Sequence, residues 1–382
     1  MEQRPREARI GLLGTSFMGR AHARGFKALR ELEPDPACLP RMVLACGRDR
    51  ARLDRFGARY GFERTSDDWR QLVADPEIDV FDNAAPNDLH AEPAILAAEA
   101  GKHVICEKPL GRDVAEARRM LAAAEAAGVV HMCAFNYRFF PAVALARELI
   151  EAGAIGEPRV FRGRFLLGEH GAGGDGEVTW RMRRESAGSG VVGDLLAHHL
   201  DLARFLVGEP VAVGASSRAW PGELGGAGSE VEDSVVCALE FAGGALGSLE
   251  AGRALPGQVL VSAIEVDGSE GGIRFDLRNL NELTITDRGA ARSVNVTGPE
   301  HPFAELWWPP GHGIGWADSF TLELRHFLGA VAGTWPLAPH GATFFDGLRC
   351  AEACEAVLSA AASGTRQPIA PADQVTEIEE RR

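Results

Sequence analysis

At 382 residues the chain is longer than one ordinary domain and suits two, and with 46% hydrophobic residues it can bury both cores. A formal net charge of −14, with arginines interleaved among acids, excludes the clustered basic surface that phosphate-backbone binding needs, so nucleic acid is not an expected partner. No apolar run approaches the roughly 20 residues of a membrane span, Met1 to Arg9 is charged rather than signal-like, and the cysteines (38, 46, 106, 133, 237, 350, 354) are odd in number and scattered. Reduced thiols, no membrane and a cytoplasmic location are expected.

Residues 9–14 read as a short buried strand, followed by a Gly/Ser turn and a helix through Leu32. After a Pro-rich loop, Met42–Cys46 is a second strand and Arg50–Tyr60 a helix that Gly61 ends. Ile78–Ala84 (strand), Glu92–Ala100 (helix), His103–Cys106 (strand), Ala115–Ala127 (helix) and Val129–Phe135 (strand) continue the alternation. Short, fully apolar strands alternating with helices predict a doubly wound parallel sheet, an α/β domain over residues 1–136. Pro141–Gly153 reads as a helix, and the pattern then changes. Arg159–Leu167, Ser234–Phe241, Ala245–Ala251, Val259–Val266, Gly272–Asp276 and Glu282–Thr286 predict strands, with hairpin turns at Ala242–Gly244 and Asp267–Ser269. Helices near Ser319–Ala332 and Thr343–Ala362 close the chain. Residues 137–382 are therefore expected to form an α+β domain with a large, open, mainly antiparallel sheet. The Gly-rich stretches 168–176 and 222–228 read as loops.

Gly11 to Gly19 approximates the dinucleotide fingerprint, with Gly14, Thr15, Ser16, Phe17, Met18 and Gly19 in the turn and helix start. Ser16 stands where the middle glycine usually lies and narrows the approach. After the second strand come Gly47, Arg48 and Asp49. A small residue followed by arginine suits a 2′-phosphate, which favours NADP(H) over NAD(H), although Asp49 is near enough in sequence to serve an NAD ribose. Lys108, in Glu107-Lys108-Pro109, follows a strand and should project from the carboxyl end of the sheet, where such folds bind ligands. Oxidising a secondary alcohol by hydride transfer also requires a positioned base, and Lys108 and His198 both meet that need. Asp194 and His198, four apart, would share one face of a helix. His199 would point about 100° away, in support rather than in catalysis. Cys350 and Cys354 share a helix face and read as small packing residues; no metal is expected.

Asn136, Tyr137 and Arg138 could bond hydroxyls, and Trp180 could stack on a sugar or cyclitol ring. Arg138, Arg162, Arg164, Arg181, Arg183 and Arg184 also suit an anionic group, or simply charged strand edges. Trp307-Trp308, before a Gly-rich turn, reads equally as a lid, an oligomer contact or loop packing.

Gly14 to Gly19, Ala85-Pro86-Asn87 with His90, Gly101 to Val104 leading into Glu107-Lys108-Pro109, and Gly193-Asp194 with His198 and Asp201 together resemble the Gfo/Idh/MocA oxidoreductases. Phe135 to Arg138, Trp180-Arg181 and Gly311 to Gly315 bring the likeness nearer to its levoglucosan dehydrogenase and inositol dehydrogenase-like branch. The resemblance covers nearly the whole chain and implies a Rossmann domain followed by a substrate-binding and oligomerisation domain. It implies Lys108, Asp194 and His198 as the catalytic set, with His198 as base, Lys108 polarising the oxygen and relaying the proton, and Asp194 orienting substrate or imidazole; Lys108 and His198 can exchange roles. It further implies cofactor contacts from Gly14 to Gly19, Gly47, Arg48, Pro86, Asn87, His90, Glu107 and Lys108, and substrate contacts from Lys108, Asn136, Tyr137, Arg138, Trp180, Arg181, Asp194 and His198. Leu196-Ala197 departs from the small residue and Ser/Thr that commonly precede the histidine. The expected activity is NAD(P)-dependent hydride transfer at a secondary hydroxyl of a sugar, anhydrosugar or cyclitol, in a homodimer or homotetramer. The alternatives are an NADPH-dependent reductase of a nucleotide-linked or phosphorylated ketosugar, and a non-catalytic nucleotide sensor.

Overall fold

A computed structural model describes residues 6–32, 38–168, 179–220 and 229–370. The expected loop at 168–176 beyond its first residue, that at 222–228 and the Pro-rich segment at 33–37 lie outside them. Contacts divide the chain into two units. The first comprises residues 1–139, 306–308 and 314–348, and the second comprises 140–305, 309–313 and 349–382.

The first unit begins with β1 (Arg6–Leu13), α1 (Phe17–Leu32), β2 (Cys38–Cys46), α2 (Arg50–Tyr60), β3 (Arg64–Ser66), α3 (Arg70–Ala74) and β4 (Val80–Asn83). It continues through α4 (Ala91–Glu99), β5 (His103–Glu107), α5 (Val114–Ala127) and β6 (His131–Ala134). The six strands are parallel in the order β3-β2-β1-β4-β5-β6. The order reverses between β1 and β4, so the loops after those two strands diverge and open a crevice at their carboxyl ends. Asp49 caps α2, its carboxylate accepting the Arg52 N–H at 3.0 Å, and Asp113 caps α5 in the same way through Glu116. Both helices stop at left-handed glycines, Gly61 and Gly128. Neither β3, three residues of polar composition, nor the single-turn α3 was expected from the sequence pattern.

The second unit opens with α6 (Pro141–Glu151) and β7 (Pro158–Leu167), followed by α7 (Arg184–Ala187), a π-helical turn (Val192–Leu196) and α8 (Ala197–Leu206). Strands β8 (Pro210–Arg218), β9 (Ser234–Phe241), β10 (Leu246–Gly252), β11 (Leu260–Gly268), β12 (Gly271–Asp276), β13 (Glu282–Asp287) and β14 (Ala290–Asn295) follow. With the short β15 (Gln367–Pro368) they form a nine-stranded sheet ordered β14-β13-β12-β11-β7-β10-β9-β8-β15. All its pairings are antiparallel except β7 with β10. In β9 residues 235, 237, 239 and 241 are buried while 236, 238 and 240 are exposed, so one sheet face is covered and the other is open. The π turn, α6 and α8 pack against strands of this sheet. β8 and β14 escaped prediction because Gly214 to Ser217 lacks β-branched residues and β14 is mostly exposed.

Helix α9 (Asp318–Val331) groups with the first unit, although it lies within the 137–382 stretch expected to form the second domain. Its Leu324, Phe327, Leu328 and Val331 join Ile10, Leu12, Phe26, Leu29 and Met42 in the buried core of the first unit. The reason is hydrophobic: α1 presents an apolar stripe, and α9 is the element that removes it from water. Helix α10 (Phe344–Ser363) starts in the first unit and continues into the second.

Candidate active site

The first unit gathers the nucleotide-type residues at the carboxyl ends of its strands. Gly14 lies at φ +109°, a conformation that side-chain-bearing residues avoid, and its N–H donates to the Cys46 carbonyl at 2.9 Å. A Cβ at Gly19 would overlap the Gly14 carbonyl oxygen, so glycine is what lets α1 start hard against the end of β1. Thr15 is buried, its side chain filling the space above Gly47, whereas Ser16 is exposed at the turn. Phe17 is half exposed and stacks on Trp316, ring centroids 5.6 Å apart. Met18 is partly buried. These are the packed turn and open helix start that a pyrophosphate requires, so the residues present fit a nicotinamide dinucleotide.

At the end of β2, Arg48 is exposed, and the Arg52 guanidinium reaches to 3.5 Å from Ser16 Oγ, beside the turn. Asp49 is committed to capping α2. After β4, Pro86 and Asn87 open a 3₁₀ turn. His90 is buried between two carbonyl oxygens, that of Pro109 at 2.8 Å from Nδ1 and that of Ala85 at 3.0 Å from Nε2. Burial lowers its pKa against the pull of those carbonyls. Its ring thus ties the loop after β4 to the loop after β5. Glu107 also turns inward. Its carboxylate accepts the backbone N–H of Lys108 at 3.1 Å through Oε2 and meets the His22 Nε2 at 3.1 Å through Oε1. Lys108 is half-buried at the mouth of the sheet, joined to Pro109 by a cis peptide.

Two of the expected substrate ligands have other employment. The Arg138 guanidinium, 2% exposed, pairs with Asp346 at 3.2 Å, and the Asn136 amide donates to Ser319 Oγ at 2.8 Å. Both residues tie the end of β6 to the returning part of the first unit. Tyr137 is buried.

The second unit carries the remaining candidates. Arg181 lies over the Trp180 ring at 4.5 Å and within 3.8 Å of Asp194, so these three residues form one cluster, with Asp194 part-exposed. Asp194 sits in the π turn, where the Ala197 N–H bonds the Val192 carbonyl five residues back. The regular α geometry expected for the Asp194/His198 spacing is therefore interrupted by one extra residue, which re-aims Asp194 relative to His198; such turns occur often at functional sites. His198 is buried in α8, with its ring 5.7 Å from that of Phe165. His199 points into the sheet, Nε2 3.1 Å from Ser262 Oγ and Nδ1 against Gly163, where any Cβ would intrude. Burial pushes its pKa down to about 3, so the ring is neutral at physiological pH. From α10, the Cys354 and Cys350 thiols donate to the Val192 and Ala197 carbonyls at 3.7 and 3.4 Å, bracketing the π turn. Among the described residues, no group of three or more His, Cys, Asp or Glu side chains is placed to hold a metal, and no helix is long and apolar enough to cross a membrane.

Sequence reasoning missed His22, Asp82 and Arg52. The available signals were a polar residue on the buried face of α1 just after the Gly-rich turn, an acid inside the apolar run of β4, and a second arginine one helical turn beyond Arg48.

Family models match both parts of the chain: an oxidoreductase family with an NAD-binding Rossmann fold over residues 8–135, and a GFO/IDH/MocA C-terminal domain over residues 143–274. The chain belongs to the Gfo/Idh/MocA oxidoreductase family, and is an NAD(P)-dependent dehydrogenase or reductase acting on CH–OH groups. It is similar to the levoglucosan dehydrogenase of Pseudarthrobacter phenanthrenivorans, 40% identical over 379 residues that cover 92% of this chain and 96% of the relative. The myo-inositol 2-dehydrogenase of Thermotoga maritima is 31% identical over 344 residues, covering 87% and 91%. Among solved structures, a levoglucosan dehydrogenase in complex with NADH and levoglucosan matches with a TM-score of 0.90 at 38% identity, over 96% of this chain and 100% of that one.

Proposed function

We propose that the protein oxidises a secondary hydroxyl of a sugar, anhydrosugar or cyclitol, with Lys108, Asp194 and His198 as its catalytic set. The observation that carries this reading is Lys108 itself, a half-buried lysine at the carboxyl end of β5 whose backbone N–H is held by the preceding glutamate. When bound, the nicotinamide accepts the hydride. Lys108 would polarise the substrate oxygen, His198 would take its proton, and Asp194, with Arg181 beside it, would orient the ring hydroxyls. Trp180 supplies a flat apolar face of the kind on which sugar rings stack. The similarity to dehydrogenases of levoglucosan and myo-inositol supports this substrate class.

For the cofactor, Arg48 and Arg52 beside the turn and a glycine at position 47 favour NADP(H), and the use of Asp49 as a helix cap supports the same preference. The dehydrogenase of known structure noted above was solved with NADH, so the two cofactors must be compared directly. The open face of the nine-stranded sheet, which carries the exposed Val236 and Leu246, supports self-association as a homodimer or homotetramer. A cytoplasmic location fits the buried, unbridged cysteines.

The test is nicotinamide absorbance with NAD and NADP separately against levoglucosan, other monosaccharides and inositols, on the wild type and Lys108→Met. Turnover with one member that is lost by at least about 1,000-fold in Lys108→Met, with cofactor binding intact, is the expected result. Near-normal turnover of Lys108→Met would refute the assignment.

A further inference from the structure

Beneath Lys108 lies a buried charged cluster that the catalytic set does not use. His22, on α1, is fully buried. Its Nδ1 lies 2.9 and 3.1 Å from the two oxygens of Asp82 on β4, and its Nε2 lies 3.1 Å from Oε1 of Glu107 on β5. Asp82 is 0% exposed and Glu107 3%. A neutral imidazole has one N–H, and between two ionised acids would leave its bare nitrogen facing a carboxylate in a dry environment; with both acids ionised, both contacts are satisfied only if both nitrogens donate. With both acids ionised the ring is an imidazolium between them; burial raises the Asp82 pKa, and a protonated Asp82 donating to a neutral ring is the competing arrangement that the nitrogen resonances distinguish. Phe320 of α9 also packs on the ring, 5.7 Å between centroids, and carries no charge. The second oxygen of Glu107 accepts the Lys108 N–H, so a continuous line of hydrogen bonds runs Asp82, His22, Glu107, Lys108 backbone.

We propose that His22 is a positioning residue: as a cation clamped between Asp82 and Glu107, it holds the Glu107 carboxylate under the Lys108 N–H and so fixes the backbone from which the substrate-polarising lysine projects. This rests on the role assigned to Lys108 above. A backbone unclamped there is free to shift its lysine by a fraction of an ångström, and misplacement on the order of 1 Å can cost about 100-fold in rate. The protonation state agrees. Burial alone would drive the ring towards neutrality, but the Asp82 charge, its hydrogen bond and those of Glu107 outweigh burial and hold the His22 pKa well above its ordinary value.

Two measurements test it. In wild-type protein labelled with ¹⁵N-histidine, the His22 resonances, assigned by their loss in His22→Gln, should show both ring nitrogens protonated at pH 8. A neutral ring there overturns the clamp. In steady-state kinetics with levoglucosan or myo-inositol, whichever turns over, measured well below the midpoint of each variant, His22→Gln should lower kcat about 10- to 100-fold while cofactor Kd changes little; its thermal midpoint should fall, because two buried carboxylates lose the cation between them. Glu107→Gln, which keeps the shape of the carboxyl group, should do the same and serves if His22→Gln does not fold. Lys108→Met runs in parallel. If it is inactive while both clamp variants turn over like wild type, the role of His22 is refuted and that of Lys108 stands; if Lys108→Met itself turns over normally, the functional reading fails first and the positioning role with it.

Discussion

Replacing Arg138 by methionine should damage stability, not substrate affinity. The guanidinium is 2% exposed and pairs at 3.2 Å with Asp346, whose side chain is 20% exposed. Removing one partner of a buried pair costs about 3–5 kcal/mol because the other charge is left without its counterion. The lower end applies, since Asp346 keeps some water contact and still accepts from the Thr343 N–H at 2.8 Å and the Thr343 hydroxyl at 3.0 Å at the start of α10. A loss of about 3 kcal/mol translates into a fall in thermal midpoint of about 6–12 °C for a unit of this size. Differential scanning fluorimetry with and without cofactor gives the midpoint, and KM for the sugar is measured well below it. A midpoint within 2 °C of wild type together with a KM raised about tenfold or more would refute the structural role and return Arg138 to the substrate.

His199, neutral in the fold with a pKa of about 3 against an unfolded value of about 6.5, makes no contribution above pH 6.5 and destabilises as pH falls, because only the unfolded chain takes up its proton. Between pH 6.5 and 5 that amounts to about 2 kcal/mol, so urea titrations should show a shallower acid loss in His199→Gln than in wild type; superimposable slopes would contradict the assignment. Gly19→Ala forces a Cβ into the Gly14 carbonyl oxygen, and a strain of about 1–3 kcal/mol at the turn should weaken reduced-cofactor binding roughly 10- to 100-fold by fluorescence titration. Affinity within threefold of wild type would show that the turn adapts.

What could be read in the sequence was what depends on near neighbours. The strands of the first sheet are short apolar runs, so their carboxyl ends, and with them Gly14, Gly47 and Lys108, could be placed from pattern alone. The ion pair of Arg138 could not be foreseen because the destination of a long cationic side chain is decided by its partner, and Asp346 lies 208 residues away. Likewise nothing local to Asp194 announces a π turn, whose first carbonyl, with that of Ala197 just beyond it, is met by thiols more than 150 residues downstream. His22 was passed over because a histidine on a buried helix face is ordinary until the two acids facing it are known.

The return of α9 to the first unit bears on how the protein is made. A chain leaving the ribosome exposes the apolar stripe of α1, with Phe26 and Leu29, as soon as its first fifty residues are out, yet the side chains that cover it, Leu324, Phe327 and Leu328, are synthesised near the end. The nucleotide unit therefore cannot finish folding from its amino-terminal portion while the rest is being translated. At ordinary elongation rates of about 5–20 residues per second that surface stays uncovered for on the order of 15–60 s, long enough to make the nascent chain a client for holding chaperones, and a fragment ending at residue 139 would keep it uncovered for good.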